Sequence, residues 1–181
     1  ARTFGIRRLE WRPGQGLFCD NRHVELRGCN RHEQVPGFGN ALPPALHRLD
    51  AQAMRAAGLN FVRLSHYPQS PFFLDACDRE GLWVMPEIAS WKSVRGGRWL
   101  KNAEHQLARM IARDHHHPCL LLWGLGNESR HRRAFIRLDA LAKRLDPEQR
   151  PTLYAENHIH RARRKRTCGL TDIWGANYEL E

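Results

Sequence analysis

Residues 119–128 read CLLLWGLGNE: an uncharged run from Cys119 to Leu125 that passes through a glycine into Asn127 and Glu128. An apolar run without alternation fits a strand buried on both faces, as in a parallel sheet covered by helices. Its end is polar. A glutamate just past a buried strand is partly desolvated, which suits a proton-donating carboxyl. The neighbouring asparagine offers a neutral donor and acceptor for a hydroxyl. The competing assignment makes Asn127 a helix cap and Glu128 a first-turn acid.

The same pattern recurs on both sides. Residues 24–29 (VELRGC), 60–65 (NFVRLS) and 82–88 (LWVMPEI) read as earlier strands, and 151–155 (PTLYA) and 172–176 (DIWGA) as later ones. Helical spacing lies between them. Leu46, Leu49, Ala53 and Ala57 recur over residues 44–58, which stop at Gly58; Pro71 opens and Gly81 closes residues 70–81. Leu107, Met110 and Ile111 mark residues 100–114, and Phe135, Leu138, Leu141 and Leu145 mark residues 132–145. Six strands alternating with helices predict an α/β fold.

Two architectures fit, an open α/β sheet and part of a (β/α)8 barrel. Polar groups stand at the ends of many strands: Asn30 to Glu33, Ser65 to Tyr67, Glu87, Asn127 and Glu128, Glu156 to His158, Asn177 and Tyr178. That distribution favours the barrel, which collects its chemistry at the C-terminal ends of different strands. An open sheet concentrates it at one switch point and usually carries a glycine-rich first turn. Gly14, Gly16, Gly37 and Gly39 precede no helix in that manner. Residues 1–23 fall outside the alternation and are expected to be the tail of a preceding β domain or a linker, with residues 3–7 as a strand and 12–16 as a turn. Residues 24–181 are expected to form the partial barrel.

The net charge of +10 comes from 29 basic and 19 acidic residues, and the four lysines (Lys92, Lys101, Lys143, Lys165) leave arginine to supply the rest. No nucleic-acid motif accompanies this charge, so a scattered arginine surface is expected and no nucleic-acid partner. No window approaches the ~18 apolar residues of a membrane span, and no signal segment is visible, so a cytoplasmic protein without a membrane partner is expected. Cys19, Cys29, Cys77, Cys119 and Cys168 show no C-x-x-C spacing and read as reduced thiols. Contiguous His115, His116 and His117 point in different directions on a helix end, which disfavours a metal. Residues 161–166 (RARRKR) read as a solvated basic loop. Arg130, Arg132 and Arg133 border Glu128, where their field attracts an anionic sugar.

Longer patterns carry a resemblance. Residues 60–68 (NFVRLSHYP), with Phe73, Leu74, Asp78 and residues 81–85 (GLWVM), resemble one signature of glycoside hydrolase family 2. Residues 114–128 (DHHHPCLLLWGLGNE) resemble its second, and residues 27–33 (RGCNRHE) its first barrel strand. Leu64 and His116 depart from the family pattern, at positions that carry no chemistry. The resemblance implies a retaining exo-glycosidase on a (β/α)8 barrel, with β-galactosidase-like activity preferred and β-glucuronidase or β-mannosidase next. It implies that Glu128 is the acid/base and that Asn127, His32 and His66 hold sugar hydroxyls. Tyr178 is implied to touch the nucleophile, Arg63 to orient the carboxylates, and Glu87 to be a structural carboxylate. Trp123, Tyr67 and Trp91 are candidates to stack on a sugar face.

Retaining hydrolysis needs a second carboxyl ~5–5.5 Å from the first. In the family that nucleophile ends the seventh strand, beyond Glu181. A barrel takes ~250 residues, so about six of eight strands are expected here and the isolated chain is expected to be inactive. Glu156 is the best internal substitute; Glu87, Glu179 and Glu181 are the other carboxylates near strand ends. Residues 88–93 (IASWKS) lack the acid and histidine of the magnesium site some family members carry, so neither metal nor cofactor is expected. Unpaired strand edges predict self-association. The rival reading is a non-catalytic carbohydrate-binding or structural fragment of such a barrel.

Overall fold

The computed structural model describes residues 5–92 and 94–178. The chain begins with an antiparallel meander of β1 (Leu9–Arg12), β2 (Gly16–Cys19) and β3 (Arg22–Val24). Asp20 and Asn21 join β2 to β3 with φ of 47° and 65°, the two positive angles that a tight hairpin needs and that Asp and Asn tolerate. The expected turn at residues 12–16 is present, as the β1–β2 connection. Of the expected strand at 3–7, Gly5, Ile6 and Arg7 are in no strand, and Thr3 and Phe4 lie outside the described residues; Val24, expected to open the first barrel strand, closes β3 instead.

Six parallel strands follow in chain order: β4 (Gly28–Arg31), β5 (Phe61–Leu64), β6 (Trp83–Pro86), β7 (Trp123–Asn127), β8 (Thr152–Glu156) and β9 (Ile173–Ala176). They form two three-stranded sheets joined by single parallel bridges, Val84 to Leu120, Glu87 to Gly124 and Trp91 to Asn127. Among the described residues the array does not close: β4 and β9 each pair with one neighbour. The connections are α1 (Pro44–Ala56), α2 (Pro71–Glu80), α3 (Gly97–Asp114), α4 (Arg132–Leu145) and the short α5 (Ile159–Arg164). No helix among the described residues is long and apolar enough to cross a membrane.

Local chemistry explains several boundaries. Ser70 caps α2 by accepting from the Phe72 N–H, Pro71 fills its first turn, and Gly81 ends it with φ of +69°. The run at 119–125 is not one strand. Leu120 bridges β6, and the ladder with β8 starts only at Trp123, with a register shift between Gly124 and Gly126. Gly124 sits against the end of β6, and Gly126 against Ser90 beyond it and Phe135 of α4. A Cβ on Gly124 would lie 2.9 Å from the Glu87 Cβ, and one on Gly126 2.9 Å from Ser90 Oγ. Side chains there would push β7 off its neighbour.

The core lies between the sheet and the helices, around Phe73, Leu74, Val84, Leu107, Ile111, Trp123, Phe135 and Tyr154. Phe135 of α4 stacks on Tyr154 of β8 at 4.3 Å. Residues 161–166 correct the expectation of a loop. Ile159–Arg164 is helical because Ala162 packs inward while its arginines face solvent, and the Tyr154 hydroxyl donates to Thr167 at 2.8 Å just beyond it.

Candidate active site

The strand C-terminal ends converge on Glu128, which follows β7 with φ of +50°. Its N–H donates to the Ala155 carbonyl of β8 at 2.7 Å, tying this unusual backbone to the next strand. The side chain is 6% exposed. Asn177, past β9, donates to Oε1 at 3.2 Å. Asn157, past β8, donates to Oε2 at 3.2 Å, and the Lys92 ammonium stands 3.4 Å from the same oxygen. Three segments distant in sequence thus surround one carboxyl with N–H donors.

Asn127 is fixed from the other side. Its Oδ1 accepts from Arg63 and from Asn177, each at 2.8 Å, which leaves its amide N–H groups for a hydroxyl. Arg63 Nε and Nη2 both donate to Glu87 Oε2, at 2.9 and 2.6 Å, and Glu87 Oε1 lies 2.8 Å from His66 Nδ1. Glu87 is wholly buried, so this ion pair is shielded from water and rigid. A cleft of about 280 Å³ opens over these groups, with Asn30, Trp91, Asn177 and Tyr178 in its wall. Larger clefts lie beside Arg7 and Pro118 (about 650 Å³) and along α3 (about 750 Å³), away from these carboxyls.

Glu128, Asn127, Arg63, His66, Trp91 and Tyr178 are therefore gathered at one cleft. Trp91 is 53% exposed and stacks on His66 at 5.9 Å with 8° between planes, while Tyr178, also in the cleft wall, is 85% exposed. His32 is exposed and edge-on to His66 at 5.7 Å, at the margin of the group. The Tyr67 hydroxyl accepts the Glu33 N–H at 2.9 Å, so it braces the loop past β4.

Three expectations need correction. Trp123 does not stack on a sugar: its side chain is fully buried in the core, and its indole N–H donates to Asp146 at 2.8 Å at the opposite end of the strand. Glu156 does not face the cleft. It is fully buried, with Oε1 accepting from Arg130 at 2.6 Å and from the Asn157 N–H at 2.9 Å, so it is engaged where a nucleophile must be free. Glu179 and Glu181 lie outside the described residues. Arg130, expected to project its field over the site, is spent on Glu156 and on Asn157 Oδ1.

No pattern in the sequence links Lys92, Asn157 and Asn177 to Glu128. Asn157 and Asn177 do stand past strand ends, and a buried acceptor-only carboxylate calls for such donors. Among the described residues, Asp78, His117 and Cys119 alone place possible metal-ligand atoms within 4.8 Å of one another. The group sits at the opposite end of the strands and is already internally bonded: His117 Nδ1 to Asp78 Oδ2 at 2.6 Å, and the Cys119 N–H to Asp78 Oδ1 at 2.8 Å. Burial pushes the Cys119 thiol well up, away from the thiolate a metal needs. It pins α2 to the start of β7.

Parallel strands under helices, with a buried carboxyl and a fixed asparagine at one strand's C-terminal end and polar groups from its neighbours around them, define an α/β protein of the barrel-enzyme type. The chain belongs to glycosyl hydrolase family 2: the family model "Glycosyl hydrolases family 2, TIM barrel domain" matches residues 13–180. A β-galactosidase of Thermoanaerobacter pseudethanolicus is 40% identical over 151 residues, covering 82% of this chain and 20% of that protein. A β-glucuronidase of Bacteroides fragilis is 34% identical over 170 residues, covering 87% of this chain and 24% of its own length. Among solved structures, the Parabacteroides merdae β-glucuronidase superposes with a TM-score of 0.86 at 31% identity, over 96% of this chain and 22% of that one. The chain thus spans about a fifth of the length of the curated relatives it matches.

Proposed function

We propose that this chain is the acid/base-bearing part of a retaining β-glycosidase, with Glu128 as the proton donor and acceptor. The observation that carries the reading is the Glu128 carboxyl itself: buried, ringed by Asn157, Asn177 and Lys92, beside an asparagine with free N–H donors, and open to a cleft. A terminal β-linked sugar enters this cleft. Asn127 donates to the hydroxyl next to the reacting carbon. A nucleophilic carboxylate attacks that carbon, the glycosidic bond breaks with its electron pair on the leaving oxygen, and Glu128 gives that oxygen its proton. Water then releases the sugar and returns a proton to Glu128. His66 and His32 contact further hydroxyls, and Trp91 and Tyr178 flank the ring.

The nucleophile is read as lying outside the described residues, since within them Glu87 is engaged by Arg63 and Glu156 by Arg130. The six parallel strands are then six of a barrel's eight. The meander β1 to β3 is the edge of a preceding β domain, and the open edges of β4 and β9 make the isolated chain self-associate. Galactose is the preferred sugar, supported by the name of the 40% identical relative, with glucuronic acid next. The test is a panel of aryl β-glycosides hydrolysed by the full-length protein and by Glu128→Gln. Loss of roughly 10²–10⁴-fold on a poor leaving group, with binding retained, is expected. Undiminished hydrolysis would overturn the assignment.

A further inference from the structure

Asn157 presents a different polar atom to each side, and the structure fixes which one meets Glu128. Its Oδ1 accepts from Arg130 Nη2 at 2.7 Å, so its Nδ2 is the end that donates to Glu128 Oε2. Arg130 is held by the buried Glu156 at 2.6 Å, and the same Glu156 oxygen accepts the Asn157 backbone N–H at 2.9 Å. An unrestrained asparagine amide flips at little cost. This one would then set an NH2 against a guanidinium and a carbonyl oxygen against a carboxylate.

The two oxygens of Glu128 are unequally occupied. Among the described residues Oε2 meets both Asn157 and Lys92, whereas Oε1 meets Asn177. A carboxylate has about two lone-pair positions per oxygen, so Oε2, with a hydrogen bond and a cation against it, is the more engaged of the two and Oε1 the more open. We propose that Arg130 is a positioning residue: by fixing the Asn157 amide it keeps Oε2 occupied and makes Oε1 the oxygen that carries the transferable proton. The inference rests on the acid/base reading of Glu128. The proton leaves Oε1 for the leaving oxygen as the glycosidic bond breaks, Glu128 becomes a carboxylate, and Oε1 recovers a proton from the water that attacks the sugar. Arg130 touches neither substrate nor proton.

The test uses the full-length enzyme and kcat/KM for phenyl and 2,4-dinitrophenyl β-D-glycosides in the galacto and glucurono series. Dinitrophenolate leaves without a proton and phenolate does not, so only the phenyl substrate senses the acid. Arg130→Met is expected to lower kcat/KM about tenfold or more for the phenyl glycoside and less than about twofold for the dinitrophenyl one. Arg130→Lys, which keeps a donor for Asn157, is expected to restore part of the loss. Arg130→Met strips Glu156 of its cation and risks misfolding, so Asn157→Ala is the second variant; it keeps the Arg130–Glu156 pair and is expected to show the same selectivity. The double variant is expected to be no worse than Asn157→Ala alone. Equal losses on both substrates, or none, in Arg130→Met and Asn157→Ala would overturn the proposal, provided that Glu128→Gln shows the leaving-group dependence. A Glu128→Gln without that dependence would instead overturn the acid/base reading, and this inference with it.

Discussion

The two ends of the parallel strands hold polar groups of similar kinds and use them in opposite ways. At the N-terminal end, Asp146 accepts from the Trp123 indole, the Arg150 guanidinium and the Arg150 backbone N–H, and Asp78 accepts from His117 and the Cys119 N–H. Asp172 accepts from the Thr152 N–H in the same region. These networks close on themselves. At the C-terminal end, Arg63, Glu87 and His66 form an equally buried core, but Asn127, Glu128 and Asn177 extend from it into an open cleft. A satisfied buried network holds strands together; one with donors left over recognises something else.

Breaking the buried core of the site end should have the largest effect. Glu87→Ala leaves the Arg63 charge buried and unpaired, an expected loss of about 3–5 kcal/mol in stability together with activity. Urea unfolding and aryl-glycoside assays of the same preparation check both. At the other end, Asp146→Ala orphans the Trp123 indole and Arg150, with about 2–4 kcal/mol lost to unfolding and no change in leaving-group dependence among folded molecules. If Asp146→Ala altered that dependence, the two ends would not be separate in function.

The same contrast has a pH signature. Burial pushes the Asp146 carboxyl up, but the Trp123 N–H, the Arg150 charge and the backbone N–H groups outweigh it and hold it below the usual carboxylate range. A depressed carboxyl stabilises the fold above its unfolded value of about 3.9, and that contribution fades as pH falls through the lower folded value. Urea midpoints measured from pH 7 down to 3 should therefore drop less steeply in Asp146→Asn than in the wild type. Smaller again is the packing of β7 on β6: Gly126→Ala sets a methyl against Ser90 and Phe135 and should cost about 1–3 kcal/mol in thermal unfolding. Ser70→Ala, which removes only the α2 cap, should cost about 1 kcal/mol.

The alternation of strands and helices, and the placing of polar groups at strand ends, were legible because each depends on local periodicity. Trp123 was not, for a reason inherent in a strand buried on both faces. With no polar residue in the run, nothing in it says which side meets the helices and which the strand interior. Trp123 takes the helix side, against Asp146. The start of β7 was set four residues early because residues 119–122 are as apolar as the strand itself. The α5 helix was hidden by its arginines, since one buried alanine suffices to orient so short a segment. Lys92, Asn157 and Asn177 meet at Glu128 because the sheet curves, and residues 92, 157 and 177 share no pattern that announces this.

In the proposed retaining reaction Glu128 moves the proton. The most direct test is Glu128→Ala in the full-length enzyme with a 2,4-dinitrophenyl β-glycoside, with and without azide. Without the acid/base, the covalent glycosyl-enzyme still forms from a substrate that needs no protonation, but water attacks it slowly. Azide needs no general base and displaces the enzyme carboxylate. Azide is expected to accelerate turnover and to give the β-glycosyl azide, seen by NMR. Wild-type turnover without azide, or an azide of inverted configuration, would contradict this role for Glu128.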